Sequence, residues 1–211
     1  MDTKTDLHRF GDQVKELVAG LKDRPPAPGS ILFYGSSTMA NWRENGMCTR
    51  QLAPLPIVNT GFGGATAEEL LYHYHSLVLP VKPSMLVYYG GANDLQNDYT
   101  PAEILDTTQR IFEWCRQDFP GIRFLILPIK LSPGLPIDMK EGRQCNADFA
   151  TYAATHADTG LIDVDPLLYD SAGNHRMEIY LEDKLHHNEQ GYKELSVIVK
   201  NAIKAGWKPK S

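Results

Sequence analysis

Cysteine is scarce in this chain of 211 residues: there are three, Cys48, Cys115 and Cys145, odd in number, widely spaced and never in a Cys-x-x-Cys pair. That pattern argues against a disulfide framework or a zinc knuckle and points to a reducing compartment, so the cytoplasm is the expected location. Also missing is any apolar run long enough to cross a bilayer, and the charged stretch from Met1 to Arg24 has no continuous apolar core of a secretory signal; a soluble protein without a membrane partner is expected. Dense blocks of Lys and Arg are absent too, and the net charge is −5, which argues against nucleic acid or an anionic membrane as the main partner. Lys200, Lys204, Lys208 and Lys210 read as a solvated helix end. With no internal repeat, low-complexity tract or linker, residues 1–211 are expected to form one domain. The composition, 42% hydrophobic and 22% charged, is that of a globular chain able to bury a substantial core.

What is present is alternation. Leu7, Phe10, Val14, Leu17 and Leu21 recur at intervals of three and four, the stripe of an opening helix, and Pro25-Pro26-Ala27-Pro28-Gly29 ends it. Apolar runs then follow at Ile31–Tyr34, Pro56–Asn59, Met85–Tyr89, Ile122–Leu127 and Leu161–Val164, separated by helix-like segments. That is the pattern of a parallel sheet with crossover helices. Thr100-Pro101-Ala102-Glu103 is a capping box with proline at the first helical position, and it predicts a helix from about 101 to 118. Asn188 is the expected cap of a last helix carrying Tyr192, Leu195, Val199 and Ile203 on one face. The longest loop-like stretch, Lys130–Arg143, starts at the carboxyl end of a strand, where open α/β sheets bind ligands.

Four segments at strand ends carry the chemistry. Directly behind the first strand, Gly35-Ser36-Ser37-Thr38 can turn tightly and expose a hydroxyl, although serine is equally at home in turns of no function. Asn59-Thr60-Gly61-Phe62-Gly63-Gly64-Ala65-Thr66 is a glycine-rich turn whose N–H groups can approach a ligand closely, yet it lacks the patterns of nucleotide loops. Gly90-Gly91-Ala92-Asn93-Asp94 ends the third strand with an amide able to donate to an oxyanion, or to cap a turn. In Asp183-Lys184-Leu185-His186 a carboxylate three residues ahead of an imidazole can accept its Nδ1 proton and leave Nε2 free as a base. Any one of these is an ordinary turn; all four map to the same edge of the sheet.

In that order the four blocks resemble the SGNH subgroup of the GDSL-type esterases and lipases, over nearly the whole length from Ile31 to Tyr192. Trp42 after the first block, Asn59-x-Gly-Phe-Gly-Gly in the second and Asn188-x-x-Gly-Tyr192 after the histidine agree with the intracellular-type members. The resemblance implies a three-layer α/β/α sandwich around a five-stranded parallel sheet, flavodoxin-like in plan. It further implies Ser37 as nucleophile, His186 as base, Asp183 as its orienter, and an oxyanion hole made by the N–H groups of Ser37 and Gly64 and the side chain of Asn93. Two positions depart from the family pattern. Ser36 stands where the family has aspartate before the nucleophile, and His187 replaces a proline or apolar residue; His187 is expected to cover the surface.

The implied reaction is acyl transfer through a Ser-His-Asp triad, with no metal and no organic cofactor. A chain this compact has little length to spare for a lid, so short acyl groups such as acetyl are the expected substrates, in a pocket lined by Met39, Trp42, Leu95, Tyr180 and the Lys130–Arg143 loop. Carbohydrate deacetylation, thioester cleavage or lysophospholipid hydrolysis at the same site, and a catalytically silent binding module on the same fold, are the competing readings. Metal catalysis is disfavoured because His73 and His75, two apart, and the adjacent pair His186-His187 lack the i, i+4 spacing of a zinc helix. None of the cysteines lies in a turn with a histidine nearby in sequence, so a cysteine nucleophile is disfavoured as well. The partner expected is a small-molecule ester; the oligomeric state, a homo-oligomer included, is open.

Overall fold

A computed structural model describes residues 3–206. In chain order its regular elements are α1 (Gly11–Asp23), β1 (Ile31–Gly35), α2 (Ser37–Arg43), α3 (Met47–Leu52), β2 (Ile57–Asn59), α4 (Ala67–Tyr72), α5 (Tyr74–Leu77), β3 (Met85–Tyr89), α6 (Ala92–Leu95), α7 (Pro101–Asp118), β4 (Arg123–Ile126), α8 (Met139–Thr155), β5 (Thr159–Leu161), α9 (Asp165–Leu168) and α10 (Glu189–Gly206). The five strands form one parallel sheet in the order β2-β1-β3-β4-β5.

Alternation along each strand divides the apolar residues between two cores. Leu32, Tyr34, Leu86, Tyr88, Phe124 and Ile126 face one side, where α1, α4, α5, α7 and α8 pack on them. Ile31, Phe33, Met85, Val87, Tyr89 and Leu125 face the other, against α2, α3, α9 and α10. The continuous apolar runs in the sequence thus report strands covered on both faces, the condition of a parallel sheet. This is the three-layer α/β/α sandwich.

The capping box at Thr100 starts α7 where expected: the Thr100 hydroxyl accepts from the Glu103 N–H at 3.3 Å while the Glu103 carboxylate accepts from the Thr100 N–H at 2.7 Å. Asn188 caps α10, its Oδ1 accepting from the Gly191 N–H at 3.0 Å. Three readings need correction. The opening helix begins at Gly11, so Leu7 and Phe10 precede it. The last strand is Thr159–Leu161 rather than Leu161–Val164, because it pairs in register with Phe124–Ile126 and Val164 already lies at the start of α9. The stretch from Lys130 is shorter than expected, since Asp138 caps a helix that begins at Met139. Of the four lysines read as a solvated end, Lys204 is exposed, Lys200 reaches back to the Ala53 carbonyl, and Lys208 and Lys210 lie outside the described residues.

Candidate active site

The strand order reverses between β1 and β3, and open α/β sheets bind ligands at such a switch point, outside the carboxyl ends of the strands. Ser37 follows β1 there and Asn93 follows β3. Their approach depends on Gly35, where a Cβ would stand 2.1 Å from the Tyr89 carbonyl oxygen. The chain turns after Gly35, with the Ser36 N–H donating to Tyr89 O at 3.1 Å and the Ser36 carbonyl accepting from Met39 and Ala40 at 3.0 and 3.1 Å. Ser37 is thereby the first residue of α2, half-buried, while Ser36 is buried at 1% exposure and its Oγ has no partner among the described residues. From behind, the Tyr192 hydroxyl of α10 donates to the Thr38 carbonyl at 3.0 Å, which ties the last helix to the serine turn.

His186 closes the arrangement. Its Nε2 lies 3.2 Å from Ser37 Oγ and its Nδ1 2.7 Å from Asp183 Oδ2, across a sequence separation of 149 residues for the first contact. Asp183 is a local fixture: its Oδ1 accepts from the N–H groups of Leu185 and His186 at 2.8 and 2.9 Å. Partial burial alone would raise its pKa, but the N–H of His186, its imidazole and the N–H of Leu185 outweigh that and hold the carboxyl down to about 2. The carboxylate is therefore ionised throughout the neutral range. A hydroxyl, an imidazole and a carboxylate in this chain can move a proton off the hydroxyl and stabilise the imidazolium that results.

The other side of the site is the glycine-rich turn. Gly64 has φ +77°, a left-handed conformation that favours glycine, and both it and Asn93 are half-buried; the glycine-rich turn meets the serine turn where the Phe62 N–H donates to Gly35 O at 3.0 Å. One N–H of the Asn93 amide donates to Ala65 O at 2.9 Å, and the amide carries a second. Asp94, which sequence reading left without a role, is the strut between the two blocks: buried at 1% exposure, it accepts from the Ala67 N–H at 2.7 Å and from the Gly91 N–H at 3.1 Å. Burial pushes its carboxyl up to about 7 against those two donors.

Sequence reading misplaced several neighbours. His187 is buried at 4% exposure, stacked on Tyr180 and edge-on to Tyr192, and burial drives its pKa down to about 3. It faces inward because the Tyr180–His187 bridge turns His186 and His187 to opposite sides. Met39 and Trp42 are wholly buried, and Leu95 and Tyr180 nearly so, which makes them core rather than pocket lining. Lys130 was read only as the start of the Lys130–Arg143 loop. It is buried at 5% exposure with its ammonium 5.8 Å from the Tyr180 ring centre, and burial lowers its pKa to about 7 while Asp183 opposes the shift. A lysine inside the apolar run from Phe124 to Leu131 was the available signal. Among the described residues no cluster of three His, Cys, Asp or Glu is placed to hold a metal ion, and no helix is long and apolar enough to cross a membrane.

An open parallel sheet with a hydroxyl–imidazole–carboxylate chain over its switch point has the architecture of a hydrolase. The chain belongs to the GDSL-like lipase/acylhydrolase family, whose sequence model matches residues 7–194, and it is a hydrolase acting on esters. It is 24% identical over 188 residues to the platelet-activating factor acetylhydrolase IB subunit alpha1 of Bos taurus, covering 88% of this chain and 75% of that one. Its fold is similar to that of a GDSL-like lipase from Bacteroides thetaiotaomicron (TM-score 0.74, 17% identity, 97% of this chain and 100% of that one). A lipase/acylhydrolase from Enterococcus faecalis shares it too (TM-score 0.70, 19% identity, 87% and 99% covered).

Proposed function

We propose that this chain is a serine esterase that cleaves short-chain acyl esters by a two-step acyl transfer. Ser37 Oγ attacks the ester carbonyl as His186 Nε2 takes its proton. The imidazolium then donates that proton to the departing alcohol, leaving an acyl group on Ser37. Water, deprotonated by the same Nε2, attacks the acyl-enzyme, and the proton returns to Ser37 as the acid is released. Asp183 holds the imidazole in the tautomer with a proton on Nδ1. The negative oxygen of each tetrahedral intermediate is received by the N–H groups of Ser37 and Gly64 and by the second N–H of Asn93, each donor being worth a factor of about 10² to 10³ in kcat.

The observation that carries this reading is the bridging position of His186, 3.2 Å from Ser37 Oγ and 2.7 Å from Asp183. Short acyl groups are favoured because the large side chains beside the serine, Met39 and Trp42, are committed to the core. The bovine relative carries the name of an acetylhydrolase, which agrees. Ser37→Ala is expected to lower turnover of p-nitrophenyl acetate by about 10³-fold or more with an unchanged melting temperature, while Ser36→Ala keeps most of it. Turnover retained in Ser37→Ala would overturn the assignment, and faster cleavage of long-chain than of acetyl esters would overturn the substrate class. Acetylated sugars and acyl-thioesters assayed beside them separate the alternative uses of the site.

A further inference from the structure

We propose that the segment Arg9–Gln13, ahead of all four motif blocks, positions the oxyanion side of the site, with Arg9 as its principal positioning residue; this rests on the assignment of Gly64 and Asn93 as oxyanion donors. Gly63 and Gly64 in succession are the most permissive kind of backbone, and a donor N–H aimed at a developing charge has to be fixed before the reaction begins. Three contacts fix it here, all from one place in the chain. Gln13 Oε1 accepts from the Gly63 N–H at 3.3 Å. An Arg9 terminal nitrogen donates to the Gly64 carbonyl at 3.0 Å. The Phe10 ring lies against Gly64, its Cζ 3.0 Å from where a Cβ would be, and packs edge-on to Phe62 at 5.6 Å.

Arg9 is itself held. Its Nε donates to one oxygen of Glu69, and its terminal nitrogen to the other at 2.8 Å, a two-pronged pair with a carboxylate that is wholly buried. Glu69 in turn accepts from the N–H and hydroxyl of Thr66 at 2.8 and 3.0 Å, the cap of α4. The turn so anchored carries the second donor as well, because Asn93 hangs from Ala65 O. Loosening Arg9 therefore displaces both oxyanion donors, while none of its hydrogen bonds involves Ser37, His186 or Asp183. Lysine cannot reproduce the fork that grips Glu69 and Gly64 together.

The test is steady-state kinetics with p-nitrophenyl acetate on the full chain, together with backbone hydrogen exchange. Arg9→Ala and Arg9→Lys are expected to lower kcat by about 10- to 100-fold with KM within about twofold, and added guanidinium ion restores part of the loss in Arg9→Ala but none in Arg9→Lys. Amides 63–66 exchange faster in both variants, while those of residues 36–40 do not change. Gln13→Ala removes the contact to Gly63 without touching Glu69, so it serves if the Arg9 variants fail to fold, and it is expected to lower kcat about threefold or more. A lowered melting temperature with unchanged kcat would make the Arg9–Glu69 pair a structural bridge only and overturn the proposal. Unaltered exchange at 63–66 would overturn it whatever the substrate. Activity surviving in Ser37→Ala would instead count against the esterase mechanism itself, which keeps the two failures apart.

Discussion

Gly134 stands against the backbone that carries Asp183 and His186. A Cβ there would be 2.1 Å from Asp183 O and 2.9 Å from the Lys184 carbonyl carbon, and the Gly134 N–H donates to Lys184 O at 3.0 Å. Neither obstacle is the flexible end of a side chain, so Gly134→Ala must move one backbone away from the other. Overpacking of this kind costs about 1–3 kcal/mol, and a displacement of the imidazole by a fraction of an ångström is expected to lower kcat by about tenfold or more. Thermal unfolding and ester kinetics on the variant check both, and unchanged kcat would show that the His186 loop yields without consequence. At this scale the contact between Asp183 and His186 was legible because the two are close in sequence and their pairing is local. His187 was not, since the direction of a side chain next door is set by which strand partner the backbone meets, here Tyr180.

Among the elements, α7 was legible to the residue, from Pro101 to Asp118, because its start signal is a set of hydrogen bonds within four residues. Thr100 is exposed, so Thr100→Ala is expected to cost about 1 kcal/mol, seen as a lower unfolding midpoint, with esterase activity unchanged; no loss of stability would mean that the Glu103 carboxylate caps the helix alone. Thr66-x-x-Glu69 makes the same box at α4 with Glu69 buried, and there the acidic side chain is also the anchor for Arg9. The last strand was misplaced for the opposite reason. Its bounds are fixed by register against β4, a partner more than 30 residues away, and the apolar residues Ile162 and Val164 that suggested it belong to the chain leaving the sheet.

For the whole molecule, the cysteines report how closed the two cores are. Cys115 and Cys145 lie in one and Cys48 in the other, all buried as free thiols. Burial raises all three pKa values, Cys48 and Cys115 to about 12 and Cys145 further. Because the thiolate is the reacting form, Ellman's reagent at neutral pH is expected to label none of the three on the time scale of minutes in the native protein and all three in guanidinium chloride. Rapid labelling of the native chain would show that one core opens readily.

The sequence by itself determined the layered α/β plan, the turns after β1, β2 and β3 that carry Ser37, Gly64 and Asn93, and the local pairing of Asp183 with His186 ahead of the last helix, since apolar periodicity, caps and turns are properties of neighbours along the chain. Only the tertiary structure decided that His186 reaches Ser37, that Asp94 joins the second block to the third, that Lys130 and His187 are buried, and that Arg9 grips the glycine turn. The contacts of His186 with Ser37, of Asp94 with Ala67 and of Arg9 with Gly64 join segments from 27 to 149 residues apart, and they exist because two packed cores fix the carboxyl ends of β1 and β3 side by side; no local pattern records which distant segment will lie across such an edge.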